Sequence, residues 1–136
     1  MSQKLPPLFD PAEIERLQSE IGIGGIRRLL EVYQLDLERR MQRMEGAFAQ
    51  HDYKTLAIEC HALKAATQSI GLSRFASELT LLEDSARQLA AHDPSSNESA
   101  ARERIETSVR HRHLHVVLAD TKPYLTKLSV TFQSRG

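Results

Sequence analysis

The residues best spaced to do chemistry lie in Glu59-Cys60-His61-Ala62-Leu63-Lys64-Ala65-Ala66-Thr67, closed soon after by Ile70-Gly71-Leu72. Leu56, Cys60, Leu63, Thr67 and Ile70 recur at alternating steps of four and three, which predicts a helix with one buried stripe. His61 falls just off that stripe and shares its side of the helix with Ala57, Lys64, Ala65 and Gln68. The spacing therefore presents an imidazole to solvent, with an ammonium one turn along and small side chains beside it. An imidazole with an ordinary pKa near 6.5 is mostly neutral at about pH 7, so one ring nitrogen keeps a lone pair. Such a nitrogen can take a phosphoryl group from a mixed anhydride and hand it on. That reaction needs mainly positioning and a cation against the equatorial oxygens, and Lys64 is spaced to provide one. An exposed histidine beside a lysine is also common on helices, and on spacing alone a surface histidine without a role stands ahead. Cys60 falls on the buried stripe and reads as a small core residue, not a nucleophile.

The elements that must position this stretch are helices. Residues 1–8 form a flexible lead-in, and Phe9-Asp10-Pro11-Ala12-Glu13-Ile14 predicts a helix start. There Asp10 caps, Pro11 suits the first position, Glu13 completes a capping box and Phe9 staples onto Ile14. This short helix is expected to end near Glu20, where Gly22, Gly24 and Gly25 break it. A long helix over about 25–50 carries Ile26, Leu30, Tyr33, Leu37, Met41, Met44 and Phe48 on one stripe. Asp52 caps the helix bearing His61, about 52–70, and Gly71 supplies the left-handed residue that ends it. Leu72, Phe75, Leu79, Leu82, Ala86 and Leu89 mark the next, about 72–91. His92-Asp93-Pro94-Ser95-Ser96-Asn97 reads as a loop, with Ser95 and Glu98 as a second capping box.

In the last region, about 96–132, Ile105, Val109 and Val116 follow one stripe, and Leu125, Leu128 and Phe132 another. Pro123 between them predicts a kink or break near Asp120 to Lys122. No strand-like alternation is present. The expected fold is all-α, an up-and-down four-helix bundle with a short additional N-terminal helix and a proline-kinked C-terminal helix, in one domain over 9–136.

The whole chain sets the outer limits. Its 136 residues suit a single core. Lys plus Arg and Asp plus Glu number 18 each, so no global field points to nucleic acid or an anionic membrane. No apolar run approaches the roughly 18 residues of a membrane span, and the start lacks the apolar core of a secretory signal. A single cysteine excludes an internal disulfide and fits a reducing cytoplasm.

The run from His61 to Leu72 resembles the signature of histidine-containing phosphotransfer (HPt) domains: His, any residue, Leu, Lys, Gly, two small residues, three variable ones, then Gly. Asp52-Tyr53 with Leu56 resembles the lead-in to that family's active helix, and Phe75, Leu79, Leu82 and Glu83 resemble the helix after it. The resemblance covers about residues 9 to 90. It implies a monomeric four-helix bundle that accepts phosphoryl from an aspartate of one receiver domain, in a hybrid sensor kinase, and donates it to the receiver of a response regulator. It implies no kinase or phosphatase activity and no cofactor of its own, the magnesium belonging to the receivers. His61 would be phosphorylated, Lys64 its charge partner and Gln68 a polar neighbour. Ala57, Lys64, Ala65 and Gln68 would meet the partner, and Gly71 would shape the turn. Ala65 departs from the family's glycine, and its methyl is expected to narrow receiver fit.

Two other readings remain. His61-Ala62-Leu63-Lys64 loosely resembles the histidine box of a kinase dimerisation domain, but the chain has no space for the ATP-binding domain that would act on it. A helical adaptor or inhibitor that binds receiver or kinase domains, with His61 never phosphorylated, would keep the same bundle. His111, His113 and His115 put two imidazoles on one face, yet no nearby Cys, Asp or Glu completes a metal site. Arg102, Arg104, Arg110 and Arg112 read as a solvated face, and Met41 and Met44 as core.

Overall fold

The computed structural model describes residues 5–92 and 97–133. Among them are four helices and no strand: α1 (Pro11–Ala49), α2 (Tyr53–Ser69), α3 (Ser73–Ala91) and α4 (Asn97–Gln133). Each helix packs on its neighbours in the chain, and α4 closes the ring against α1. Cross-helix bonds fix the directions. Tyr33 and Thr67 meet at 2.7 Å and Arg40 and Glu59 at 2.8 Å, so α1 and α2 run antiparallel. Arg27 donates to the Phe132 carbonyl at 3.1 Å, while Glu45 meets His111 at 2.7 Å, so α4 runs antiparallel to α1. The result is the expected up-and-down bundle. Ile26, Leu30, Tyr33, Met44, Leu56, Cys60, Leu63, Phe75, Leu79, Leu82 and Leu114 form its centre, none more than 2% exposed. Burial of each large side chain contributes about 1.5–3 kcal/mol.

The helix starts follow the capping chemistry, with one change. The Asp10 carboxylate accepts from the Ala12 N–H, and Asp52 accepts from Thr55 N–H. Glu13 does not close a capping box. Its carboxylate pairs with Arg16, and the Asp10 N–H donates instead to the Gly71 carbonyl at 2.7 Å. The glycine-rich stretch breaks the helix as expected, at Gly22, whose φ 75° and ψ 175° divide α1 into two helical segments joined at a kink. Ile26 is fully buried and Ile23 packs on the core, and that burial outweighs the poor propensity of Gly24 and Gly25.

Residues 1–4 of the lead-in lie outside the described residues, and Pro6 and Pro7 are bonded to α3. Arg74 N–H and Nε donate to the Pro7 and Pro6 carbonyls at 3.0 and 2.9 Å, and Phe9 stacks on Tyr124. The proposed Ser95–Glu98 capping box falls partly outside the described residues.

The last helix departs most from its expectation. Ile105, Val109 and Val116 face solvent, and the buried stripe runs through Thr107, Leu114, Val117, Thr121, Leu125, Leu128 and Phe132. Two threonines hide this stripe from a hydrophobicity reading. Thr107 and Thr121 can be buried because their hydroxyls donate to the Glu103 and Val117 carbonyls one turn back. Nor does α4 break at Pro123. The Ala119 carbonyl that loses its donor belongs to an exposed residue, while Leu118 and Leu125 anchor the helix on both sides.

Candidate functional site

The Asp52 cap and the positive φ of Gly71 set the two ends of α2, and with them the rotation of everything between. Its buried side holds Leu56, Cys60, Leu63 and Thr67, and its exposed side holds Ile58, His61, Ala62, Ala65 and Gln68. Tyr33 locks this rotation to α1. Thr67 Oγ1 donates to the Leu63 carbonyl at 2.8 Å and so accepts from the Tyr33 hydroxyl, whose pKa burial pushes up. Burial likewise pushes the Cys60 thiol up to about 12, which leaves it protonated and inert.

His61 is 62% exposed, and its Nδ1 lies 3.1 Å from Oε2 of Glu83 on α3. Glu83 is only 7% exposed and gathers three partners: His61, Lys64 Nζ at 3.4 Å and Arg87 Nη2 at 2.7 Å. Burial alone would raise the Glu83 carboxyl, but the Arg87 hydrogen bond and the Lys64 charge outweigh it and hold the group below its ordinary value. Glu83 is therefore a carboxylate near neutral pH, able only to accept. The nitrogen facing it must carry the hydrogen, so a neutral His61 keeps its lone pair on Nε2. Two cations against one carboxylate leave the surroundings of that nitrogen net positive, which favours an incoming anion.

Shallow clefts flank His61 along the α2–α3 seam. Lys54, Ala57, Ile58, Arg87, Ala90 and Ala91 line one of about 480 Å³, and Pro6, Lys64, Gln68 and Thr80 are among those lining another of about 330 Å³. Of the residues expected at a partner surface, Lys64, Ala65 and Gln68 are at least partly accessible, but Ala57 is 2% exposed and belongs to the core. Ala57 joins the buried side because α3 packs closely on α2 there. Lys64 is not a free ammonium either, being paired to Glu83.

Glu83 and Arg87 are the site residues whose roles the sequence did not reveal. A signal existed: Glu83 directly follows Leu82 on the buried face of α3, where an unpaired acid is costly, and Arg87 lies one turn on. The geometry predicts a pH effect. A carboxyl depressed in the folded state stabilises above its unfolded value, about 4.3, and that contribution disappears as pH falls through the folded value. Glu83→Gln is expected to lower stability by about 1 kcal/mol at pH 7, discounted because Lys64 and Arg87 stay solvated, and to flatten the acid limb below about pH 4.5. Urea denaturation across pH 3–7 measures both.

The His111–His115 run also gains what its sequence neighbours lacked. Glu45 of α1 meets His111 and His115, while Glu78 of α3 meets His113 at 2.9 Å. Among the described residues no helix is long and apolar enough to cross a membrane. Compared with known proteins, the chain matches no family model, no curated protein and no solved structure.

Proposed function

We propose that the protein is a phosphorelay intermediate of the HPt type, in which His61 accepts a phosphoryl group from a receiver-domain aspartate and passes it to the receiver of a response regulator. The observation that carries this reading is the exposed imidazole whose Nδ1 is held by the buried Glu83 carboxylate, which leaves Nε2 as the nitrogen with the free lone pair. The Nε2 lone pair attacks phosphorus in line, the bond from phosphorus to the aspartyl oxygen breaks, and the carboxylate leaves with that electron pair. The imidazole becomes positively charged, its Nδ1 proton stays toward Glu83, and that carboxylate offsets the charge. Lys64 and Arg87 lie close enough to Glu83 to turn toward phosphoryl oxygens when the receiver, bringing its magnesium, closes over the ring. Ile58, Ala62 and Ala65 give this docking surface a low apolar centre, and Arg87 and Gln68 a polar rim.

The test is transfer of radiolabelled phosphoryl from the phosphorylated receivers of the source organism. Label is expected on the chain as an acid-labile, base-stable phosphoramidate. Binding to a receiver without label would overturn the relay and leave the adaptor reading in its place. Ala65 is exposed four residues after His61, and its methyl belongs to the same surface. Ala65→Gly is expected to change the transfer rate for at least one receiver and to cost about 1 kcal/mol of helix stability. Unchanged rates with every receiver would show that this methyl does not set partner fit.

A further inference from the structure

On the opposite seam, between α1 and α4, three metal-ligating side chains converge away from His61. His111 and His115 lie one turn apart on α4, and both point Nε2 at the same oxygen, Oε1 of Glu45 on α1. Their ligand atoms all lie within 4.8 Å of one another. The His111 ring is fixed by stacking on Phe48, with centroids 3.9 Å apart and planes within 5°. His115 meets the His111 ring edge-on at 4.8 Å. His113, between them in sequence, turns the other way to Glu78 and takes no part.

Without a metal, both rings must hold a hydrogen on Nε2 to bond one carboxylate oxygen. Moving that hydrogen to Nδ1 in each ring, with no change of charge, frees two lone pairs beside a carboxylate. Two imidazoles spaced i and i+4 plus a carboxylate from a second helix suit a borderline divalent ion. Calcium and magnesium prefer all-oxygen sets, and a soft monovalent ion prefers sulfur. We propose that Glu45, His111 and His115 form a binding site for a divalent transition-metal ion of the zinc class, with three protein ligands and a fourth position open. Glu45 also walls a cleft of about 490 Å³ between α1 and α4, with Leu37, Met41, Leu118 and Leu125. A bound ion would join α1 to α4 and stabilise the bundle by mass action.

The experiment titrates tag-free, full-length protein with Zn²⁺ against a chromophoric chelator and follows Co²⁺ by its visible absorption. One equivalent is expected to bind with a Kd of about 1 μM or tighter, with a Co²⁺ spectrum of tetrahedral type. At about 100-fold excess over Kd the Tm is expected to rise by about 5–10 °C. Glu45→Gln and His115→Gln should each weaken binding at least tenfold, while His113→Gln and His61→Gln leave it unchanged. Glu45 is exposed, so Glu45→Gln keeps the fold even if losing the His111 stack does not. Absence of one-equivalent binding, its survival in Glu45→Gln and His115→Gln, or its equal loss in His113→Gln overturns the proposal.

Discussion

Replacing His61 with glutamine is expected to abolish phosphoryl acceptance while leaving the bundle intact. The imidazole is 62% exposed and is tied to the fold by one bond to Glu83, a carboxylate that keeps Lys64 and Arg87 as partners. Removing it therefore changes stability by no more than about 0.5 kcal/mol. Glutamine offers no nucleophilic lone pair on nitrogen, because the amide nitrogen is delocalised into its carbonyl. Loss of all label with an unchanged melting curve and unchanged receiver binding is the predicted outcome. Label persisting in His61→Gln would place the acceptor elsewhere and end the relay reading. A receiver that still binds would separate the chemistry of Nε2 from the shape of the surrounding surface.

Gly71→Ala is expected to be the most destabilising single-methyl change near the site, at about 3 kcal/mol. Gly71 has φ 84°, and a Cβ there would lie 2.4 Å from the Asp10 carbonyl oxygen and 3.3 Å from the Phe9 ring. The left-handed backbone costs an L-residue about 1–2 kcal/mol, and the clash with main chain adds to it. Relief would require the Asp10 N–H to leave the Gly71 carbonyl, now 2.7 Å away, and would strain the neighbouring Arg74–Pro7 bond. For a domain of this size the loss corresponds to a fall in Tm of about 10 °C, readable by circular dichroism. A loss under about 1 kcal/mol would show that the N-terminal segment separates from the α2–α3 turn at little cost. His61 should remain competent below the new transition, since Glu83 reaches it from α3 independently of this clasp.

Acids crossing the helix seams give the bundle its register. Glu59 reaches Arg40 across α1–α2, Glu83 reaches His61 and Lys64 across α2–α3, and Glu78 reaches His113 across α3–α4. Glu45 spans α1–α4 to His111 and His115. Glu59, Glu78 and Glu83 are buried. A shift of one turn between two helices would leave such a carboxylate buried without its partner, at several kcal/mol, while apolar stripes alone would tolerate it far better. The acid that orients the candidate nucleophile thus belongs to the same set of contacts that aligns the helices.

The helices, their order and the exposure of His61 were legible in the sequence because each depends on local chemistry. Asp52 and Gly71 bracket α2 through a side-chain cap and a left-handed glycine, and the spacing of Leu56, Cys60 and Leu63 turns His61 outward. Tertiary structure decided what local periodicity does not carry. It buried Ala57 through the approach of α3, and it buried Thr107 and Thr121 through bonds to their own helix while Ile105, Val109 and Val116 stayed in solvent. It also chose the partners of the histidines. Glu83 is 22 residues from His61, and Glu45 is 66 and 70 residues from His111 and His115. Side chains that far apart in the chain meet only after the helices have packed, and that packing decides which nitrogen of His61 remains free.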